Sequence, residues 1–406
     1  MYVPDLNIYD TIIIGSGPAG ASAAYVLAKA GNKVLVLEKE KLPRYKTCGG
    51  GLTYRGQNLI PFDITEIVEN KCYAVEINDF EANVSFKTRR KNPVVLMTMR
   101  SGLDYRLIKE AKIFGAEIKD NAELKDLNYS GTHIEVTLKN RKEKFYSKFL
   151  IAADGALSVA AKKYFGEGKR KLIPALEYEV FVDSDVLLRF KKAVRFDFGI
   201  VPGGYGWVFP KKDHLSIGVL SMKLKNGNLN NFFSDYLKLL EIKHINKSER
   251  HGFVIPLNSR NIFAKDRIIL IGDAAGFTDP ITAEGISFAV LSGQLAAESL
   301  LIGNLSPELV CKEYNSRVSK KILPELKAGK FLSYFIYSYN RLRILVVKLY
   351  GKKLSELMTD VVMGEKSYSE LAGNPFNYFK LLFKWSVKKT KRQKFGGNIT
   401  TFQAGS

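Results

Sequence analysis

The 406-residue chain is poor in the residues that build metal sites and disulfide frameworks. It holds three cysteines and four histidines, without a Cys-x-x-Cys pair or metal-ligand spacing. An odd cysteine count fits a disulfide framework poorly, and the scattered histidines argue against a metal site. No run of about 18 uncharged apolar residues is present, so no transmembrane helix is expected. The amino terminus has no basic-then-apolar signal, which predicts a cytoplasmic protein.

Acidic residues are in the minority. The chain carries 62 lysines and arginines against 41 acids, a formal net charge of +21. No helix-turn-helix, zinc-finger or RNA-binding signature accompanies this charge, so no nucleic-acid partner is expected. An anionic membrane surface or a phosphorylated substrate would account for the excess. A lysine-rich solvated surface would account for it equally well.

The most informative stretch is Asp10–Glu38, an apolar strand, a glycine turn, an alanine-rich helix and a second strand. In such a turn Gly15 makes the tight bend, Gly17 lets the backbone approach a pyrophosphate, and Gly20 allows close packing of helix on strand. The free N–H groups of the helix start hold the phosphates. Glu38 ends the second strand, where it can accept hydrogen bonds from a ribose. The stretch predicts a dinucleotide site.

A second strand-turn-helix pattern occupies Arg267–Gly293. Its strand ends in Gly272-Asp273, and Asp273 is placed to bond a ribityl chain. A long helix follows Pro280 and Gly285, and its amino terminus near Gly285–Ile286 can stabilise negative charge on a reduced flavin ring.

Three further segments are candidates for the same site. The strand Phe149–Ser158 runs into the turn Asp154-Gly155, which either closes over the cofactor or is a simple surface turn. Lys39–Leu52 contains Pro43 and three consecutive glycines, so a loop able to lie against a flat group is predicted. In Gly204–Pro210, strand alternation puts Tyr205, Trp207 and Phe209 on one face, either as core packing or as a wall facing a ligand.

These motifs together resemble flavoproteins of the p-hydroxybenzoate hydroxylase fold. Within that superfamily, PRYKTCGGGL, YGWVFP and GDAAGFTDPITAEGISFA resemble the geranylgeranyl reductase family, including the digeranylgeranylglycerophospholipid reductases. The resemblance covers roughly residues 8–300 and implies saturation of isoprenoid chains by reduced FAD.

The resemblance also implies roles for individual residues. Cys48 would contact the flavin, where it either takes part in catalysis or is a small packing residue beneath the ring. The aromatic strand would line a lipid channel formed by Tyr205, Trp207, Phe209 and Pro210. The implied cofactor-binding residues are Gly15, Gly17, Ala19, Gly20, Glu38, Lys39, Cys48, Gly49, Gly50, Gly51, Arg100, Asp154, Gly155, Gly272, Asp273, Pro280, Gly285 and Ile286.

The expected fold is α/β: a Rossmann-like FAD-binding domain, an inserted antiparallel-sheet substrate domain and a helical carboxyl-terminal region. The FAD-binding domain is expected over 1–52, 96–160 and 266–305, and the substrate domain over 53–95 and 161–265. A helical region over 306–395 and a disordered tail over 396–406 complete the prediction. Within it we expect a short helix over Leu107–Phe114 and separate strands at Lys144–Tyr146 and from Phe149.

Two other functions remain open. A flavin monooxygenase or halogenase would share the fold, and YGWVFP is similar to an aromatic segment of the halogenases. Aromatic hydroxylases commonly place histidine after GDAA, where this chain has Gly276 and Phe277. A non-catalytic, membrane-associated flavin-binding protein is the second alternative.

The expected partners are an isoprenoid lipid, an electron donor and an anionic membrane. No second Gly-x-Gly-x-x-Gly is present, so NAD(P)H would bind transiently or ferredoxin would replace it. The segment Arg341–Lys394 holds 13 basic residues against four acids. It also holds the aromatic residues Tyr378, Phe379, Phe383 and Trp385, which predicts a peripheral membrane association.

Overall fold

The computed structural model describes residues 8–139, 141–168, 171–224 and 228–373. The strands in these residues are β1 Ile8–Ile14, β2 Val34–Leu37, β3 Gly51–Thr53, β4 Val68–Cys72, β5 Ala74–Asp79, β6 Val84–Arg89, β7 Val95–Thr98, β8 Glu117–Lys119, β9 Leu124–Tyr129, β10 Ile134–Leu138, β11 Lys144–Ala152, β12 Leu172–Phe181, β13 Ala193–Phe198, β14 Gly204–Pro210, β15 Leu215–Ser221, β16 Lys247–Pro256, β17 Ala264–Lys265 and β18 Ile268–Leu270.

The α-helices in the same residues are α1 Pro18–Lys29, α2 Tyr54–Gln57, α3 Arg100–Ile113, α4 Val159–Phe165, α5 Ser184–Phe190, α6 Leu229–Leu239, α7 Gly272–Ala275, α8 Ile286–Ile302, α9 Pro307–Lys321, α10 Leu323–Ser338, α11 Asn340–Met363 and α12 Tyr368–Gly373, with a single 3₁₀ turn at Thr65–Ile67.

The cofactor half of the molecule is built on a sheet with a parallel centre. Its strand order is β17-β18-β11-β1-β2-β8, and the β9–β10 hairpin extends it from β11. Strand β1 pairs in parallel with both β11 and β2, and β11 pairs in parallel with β18. These strands are runs of Ile, Leu and Val because helices cover them on both faces. Their carboxyl ends meet at one edge, where a ligand is expected in such sheets.

The second half is a seven-stranded sheet of order β16-β12-β15-β14-β13-β5-β6, antiparallel except for the β13–β5 pair. A small sheet of order β3-β7-β4 joins the two halves. Helix α11 lies on β6, where the Gly351 Cα approaches the Phe86 ring so closely that a Cβ would be 2.2 Å from it. The fold is therefore the α/β class predicted, with a helical carboxyl-terminal region.

Three local predictions were wrong. Lys144–Tyr146 and the strand from Phe149 are one strand, β11, whose outer part pairs with β10 and whose inner part pairs with β1 and β18. The short helix over Leu107–Phe114 begins earlier, at Arg100. Tyr54–Gln57, in a segment predicted to be strand-like, is a helical turn because the Thr53 hydroxyl accepts a hydrogen bond from the Gly56 N–H.

Among the described residues, no helix is long and apolar enough to cross a bilayer. The carboxyl-terminal aromatic residues Tyr378, Phe379, Phe383 and Trp385 and the tail 396–406 lie outside the described residues.

Candidate functional site

The glycine turn leaves room for a ligand at one position only. Gly15 has φ +100°, and a Cβ there would lie 2.5 Å from the Ala153 carbonyl oxygen. A Cβ on Gly20 would lie 2.0 Å from the Gly15 carbonyl oxygen. Gly17, at the start of α1, is different, since its nearest neighbours would be guanidinium nitrogens of Arg44 and Arg100 at 3.7 and 3.9 Å. The space above Gly17 is therefore open and faces two cations.

Positive charge is concentrated and buried around this space. Burial lowers the pKa of Lys46 to about 8, and the nearby positive charge of Arg100 acts in the same direction. Arg44 Nη1 lies 2.9 Å from Asp104 Oδ2, yet it is buried and finds no aligned acceptor among the described residues. Buried cations that repel one another are stabilised by a bound anion. The FAD pyrophosphate is such an anion, so the residues fit the cofactor.

Glu38 directly follows β2, beside the same turn. One carboxylate oxygen accepts hydrogen bonds from the Ser16 N–H at 2.9 Å and from the Ser16 hydroxyl at 2.7 Å. The other accepts from the Glu40 N–H at 3.2 Å and lies 3.4 Å from Arg44 Nε. Rotation of the Ser16 hydroxyl would free an acceptor for a ribose. Lys39 is not brought to the site, because its side chain is 65% exposed and is paired with Glu40.

Arg100 opens α3 and forms a two-pronged ion pair with Asp104, at 2.7 and 2.8 Å. Asp154 is turned away from this cluster. Its carboxylate caps α4, accepting from the Ser158 hydroxyl and from the N–H groups of Val159 and Ala160. Burial raises the pKa of Asp154. Gly155 beside it adopts φ +80°.

The second motif joins the same cluster. The negative charge of Asp273 raises the pKa of Lys46, against the effect of burial. A Cβ on Gly285 would lie 3.3 Å from Asp273 Oδ1. Gly272 turns the chain with φ +53°, and α8 begins at Ile286 as predicted. Pro280 packs instead on α10, 3.1 Å from the Cβ position of Gly329.

Cys48 and the glycines after it lie between the cation cluster and the aromatic strand. The Gly50 N–H points at the Cys48 sulfur from 3.4 Å, and the Arg100 guanidinium lies beside this side chain. A Cβ on Gly49 would lie 2.7 Å from the Phe209 ring and 3.2 Å from Trp207 Nε1. Only glycine allows this contact. Gly51, which begins β3, also faces the Phe209 ring.

The aromatic strand forms a continuous wall. Ring centroids of Tyr205 and Trp207 are 6.2 Å apart, and those of Trp207 and Phe209 are 6.4 Å apart. The Trp207 indole N–H is buried and has no partner among the described residues. The Tyr205 hydroxyl donates to the Thr282 carbonyl. Pro210 ends the strand, and its carbonyl accepts from the Asn70 amide at 3.2 Å.

The sequence did not single out four of the residues at this site. Arg44 and Lys46 lie in the loop that was predicted, and their burial is what distinguishes them from other basic residues. Lys211 and Glu177 are buried beneath the loop, far from it in sequence. One feature of the sequence could have indicated Lys211: it is a lysine directly after a strand of buried aromatic residues.

Comparison with known proteins finds relatives that match most of the chain. A model of the FAD binding domain matches residues 8–197. An uncharacterised protein of Methanosarcina barkeri is 33% identical over 332 residues, covering 81% of this chain and 84% of the relative. The chloroplastic geranylgeranyl diphosphate reductase of Nicotiana tabacum is 27% identical, covering 91% and 83%. The digeranylgeranylglycerophospholipid reductase of Methanocaldococcus jannaschii is 28% identical, covering 80% and 87%.

Solved structures show the same fold. A geranylgeranyl bacteriochlorophyll reductase-like protein from Thermoplasma acidophilum superposes with a TM-score of 0.72 at 22% identity, over 90% of this chain and 93% of its own. A flavin-dependent brominase superposes with a TM-score of 0.69 at 21% identity, over 95% and 100%. At such identities the two structures establish the architecture alone.

Proposed function

Because the chain belongs to the geranylgeranyl reductase family of FAD-dependent oxidoreductases acting on carbon–carbon double bonds, we propose that it saturates isoprenoid chains of membrane lipids or their precursors. The observation that carries this proposal is the contact of Gly49 with Phe209 and Trp207. It sets an apolar aromatic wall directly beside the loop expected to face the flavin. A polyprenyl chain, which has no polar group along its length, suits such a wall.

The chemistry requires a hydride at one alkene carbon and a proton at the other. Bound, reduced FAD supplies the hydride. An isolated trisubstituted alkene accepts hydride poorly, so the protein must exclude water, hold the alkene close and steady a developing tertiary cation. The faces of Tyr205, Trp207 and Phe209 can stabilise that cation.

Cys48 is the proposed proton donor. Its sulfur accepts a hydrogen bond from the Gly50 N–H at 3.4 Å and lies beside the Arg100 guanidinium. The new carbon–hydrogen bond takes the thiol proton while the hydride forms the other carbon–hydrogen bond. A return of one proton to the sulfur closes the cycle.

The proposal is tested by following the flavin spectrum. Dithionite-reduced protein, freed of excess reductant, is mixed anaerobically with a geranylgeranyl lipid in detergent. Reoxidation of the flavin that depends on the lipid supports the proposal, with the fully saturated phytanyl lipid as the matched control. A flavin that stays reduced with both lipids contradicts it.

The electron donor is expected to be ferredoxin or transiently bound NAD(P)H. One second function has an observation in its favour, namely the similarity of YGWVFP to an aromatic segment of the flavin halogenases. A monooxygenase or halogenase would consume reduced flavin in air and add oxygen or halogen to its product. The same lipid incubated in air, with and without bromide, distinguishes that outcome by product mass.

The membrane part of the proposal rests on helices α10 and α11. An exposed apolar stripe, called here the outer face, runs along both helices and consists of Phe331, Tyr334, Phe335, Tyr339, Leu342, Leu345 and Leu349. Residues 326–355 contain seven basic residues and no acid. Six of the seven are exposed: Lys327, Lys330, Arg341, Lys348, Lys352 and Lys353. Apolar side chains flanked by cations suit the interface of an anionic leaflet.

A buried side of α10 contacts the aromatic strand. The Tyr337 hydroxyl donates to the Ile281 carbonyl at 2.6 Å, and its ring stacks on Phe198, which in turn contacts Tyr205. Helix α10 thus carries part of the outer face and also contacts the aromatic strand. In this proposal, a lipid whose tails stay in the bilayer passes this helix to reach the aromatic strand.

Vesicle co-sedimentation tests the docking. We expect binding to anionic vesicles at low salt, release at high salt and little binding to neutral vesicles. Replacing Lys348, Lys352 and Lys353 by Gln should weaken binding. The matched control replaces three exposed lysines of the β9–β10 region, Lys125, Lys139 and Lys142, and should bind as before. Equal loss in both variants would contradict docking through the outer face.

A further inference from the structure

A cluster of buried ionisable side chains lies behind the Cys48 loop, and the reaction described above leaves it without a task. Glu177 and Glu179 project from the same face of β12, and each is 2% exposed. Lys211 is completely buried, and His214 is 6% exposed. Charges are rarely buried without a partner or a purpose, because leaving water is costly. Here they are gathered beside a single loop.

The cluster forms a chain of contacts from solvent to the loop that carries Cys48. Asp213 is 69% exposed, and its Oδ1 lies 2.7 Å from His214 Nδ1. His214 Nε2 lies 3.2 Å from Glu179 Oε2, at hydrogen-bond distance but not aligned, so a small rotation of the ring completes this link.

The Tyr45 hydroxyl continues the chain. It lies 3.5 Å from Glu179 Oε1 and donates to Glu177 Oε1 at 3.2 Å. The backbone N–H of Cys48 lies close enough to the Glu177 carboxylate to lower the pKa of that carboxyl, against the effect of burial. The two carboxylates thus join the imidazole of His214 to the loop that carries the thiol.

The electrostatics let the inner carboxyl hold a proton near neutral pH. Burial raises the pKa of Glu177 to about 7, and the charge of Glu179 adds to the effect, while Lys211 opposes it. From β16, His251 pairs with Glu177 in register and stacks on the Tyr45 ring at 4.1 Å. The pKa of His214 is raised by its carboxylate neighbours Glu179 and Asp213, which outweigh the opposing effect of burial.

We propose that Glu177, Glu179 and His214, with Tyr45 between the carboxyls, relay protons from solvent at Asp213 to Cys48, replacing the proton consumed when each double bond is saturated. This inference rests on the proposed function. It assigns a task to residues that act through Cys48 and do not touch the substrate.

The protons balance along this path. The Cys48 thiol gives its proton to the alkene carbon and becomes a thiolate. The carboxylic acid of Glu177 returns a proton to the sulfur and becomes a carboxylate. Through the Tyr45 hydroxyl, Glu177 is reprotonated from Glu179, and Glu179 from the His214 imidazolium. Water at Asp213 reprotonates the imidazole. No electron moves in any of these transfers.

The first test needs no substrate. Oxidised, FAD-loaded protein is treated with iodoacetamide from about pH 5 to 9, a range that spans the raised carboxyl. Alkylation at Cys48 is followed by peptide mass spectrometry, which separates it from Cys72 and Cys311. We expect the plot of the wild-type Cys48 alkylation rate against pH to bend near pH 7, because ionised Glu177 disfavours a neighbouring thiolate. The bend should vanish in Glu177→Gln and persist in Glu249→Gln, an exposed acid on β16. Identical profiles in all three proteins would overturn the coupling.

The second test separates relay from structure by using the solvent end of the path. His214→Gln should leave the first flavin oxidation unchanged, because Cys48 already carries its proton. Steady-state turnover should fall about a hundredfold, the lower end of what a positioned proton-transfer group contributes, and its solvent isotope effect should rise. Equal slowing of the first and later turnovers, or no slowing, overturns the relay. A wild-type protein that reduces no prenyl lipid refutes the proposed function instead, while the alkylation profiles still decide the coupling of Glu177 to Cys48.

Discussion

The Nζ atom of Lys211 lies 2.6 Å from the carbonyl oxygen of Gly49. The same ammonium group donates to the Thr98 carbonyl at 2.9 Å. A buried cation directly after β14 therefore forms hydrogen bonds both to the loop that follows Cys48 and to strand β7. Burial lowers the pKa of this lysine, and the nearby carboxylates of Glu179 and Glu177 oppose that effect. The loop, the aromatic strand and the carboxylates are thus held by one side chain.

Lys211→Met should loosen this arrangement. Two buried carbonyls would lose their donor, at a cost of about 2 kcal/mol in the free energy of unfolding. The adjacent Lys212 is exposed, so Lys212→Met should change the free energy of unfolding by less than about 0.5 kcal/mol. Urea denaturation of both variants measures the difference, and equal stabilities would contradict the account of Lys211.

Gly17→Val should abolish FAD binding without unfolding the protein. The Cβ position of Gly17 has no neighbour nearer than 3.7 Å, so the polypeptide tolerates a side chain where the pyrophosphate does not. Gly20→Ala is the informative contrast, because its Cβ would meet the Gly15 carbonyl and destabilise the fold. Flavin absorbance and thermal denaturation together distinguish the two effects. A Gly17→Val protein that remains fully yellow would show that the dinucleotide lies elsewhere.

Cys48→Ala should retain FAD and reduce prenyl lipids at least tenfold more slowly, the scale of a lost proton donor. Cys311→Ala, at a half-buried thiol that donates to the Asp266 carbonyl, is the control and should turn over normally. Single-turnover flavin oxidation gives both rates. Unchanged turnover in Cys48→Ala would remove the thiol from the mechanism.

The raised pKa of Glu177 also predicts a pH dependence of stability. A carboxyl whose pKa is higher in the folded state than in the unfolded state contributes fully below the unfolded value, and the contribution is lost as pH rises through the folded value. Between pH 4.5, the ordinary pKa of a glutamate, and about pH 7, wild type should therefore lose stability relative to Glu177→Gln. A shift of this size corresponds to about 3 kcal/mol. Urea denaturation of both proteins at several pH values checks it, and a constant difference would contradict it.

The sequence predicted well those features that depend on local spacing. The turn at Gly15–Gly20, Glu38 at the end of β2 and the start of α8 at Ile286 follow from backbone geometry and strand–helix alternation. The aromatic strand Gly204–Pro210 was bounded correctly for the same reason.

The carboxylates behind Cys48 could not be predicted, because they depend on pairing between distant strands. Nothing near Glu177 in the sequence indicates burial, since alternate residues of β12 face Tyr45 only after the two halves of the molecule come together. The turn at Asp154 shows the converse limit. Its sequence suits a cofactor loop, yet the carboxylate caps α4, because Ser158 and two backbone N–H groups are its nearest donors.

The most direct test of the central claim is the mass of the lipid product. Reduced protein is incubated anaerobically with a geranylgeranyl lipid, and the extracted lipid is analysed by mass spectrometry, with Gly17→Val protein as the FAD-deficient control. The account predicts the addition of two hydrogen atoms for each double bond saturated, with no oxygen or halogen, and no change with the variant. A lipid recovered unchanged from FAD-loaded, fully reduced wild-type protein would contradict it.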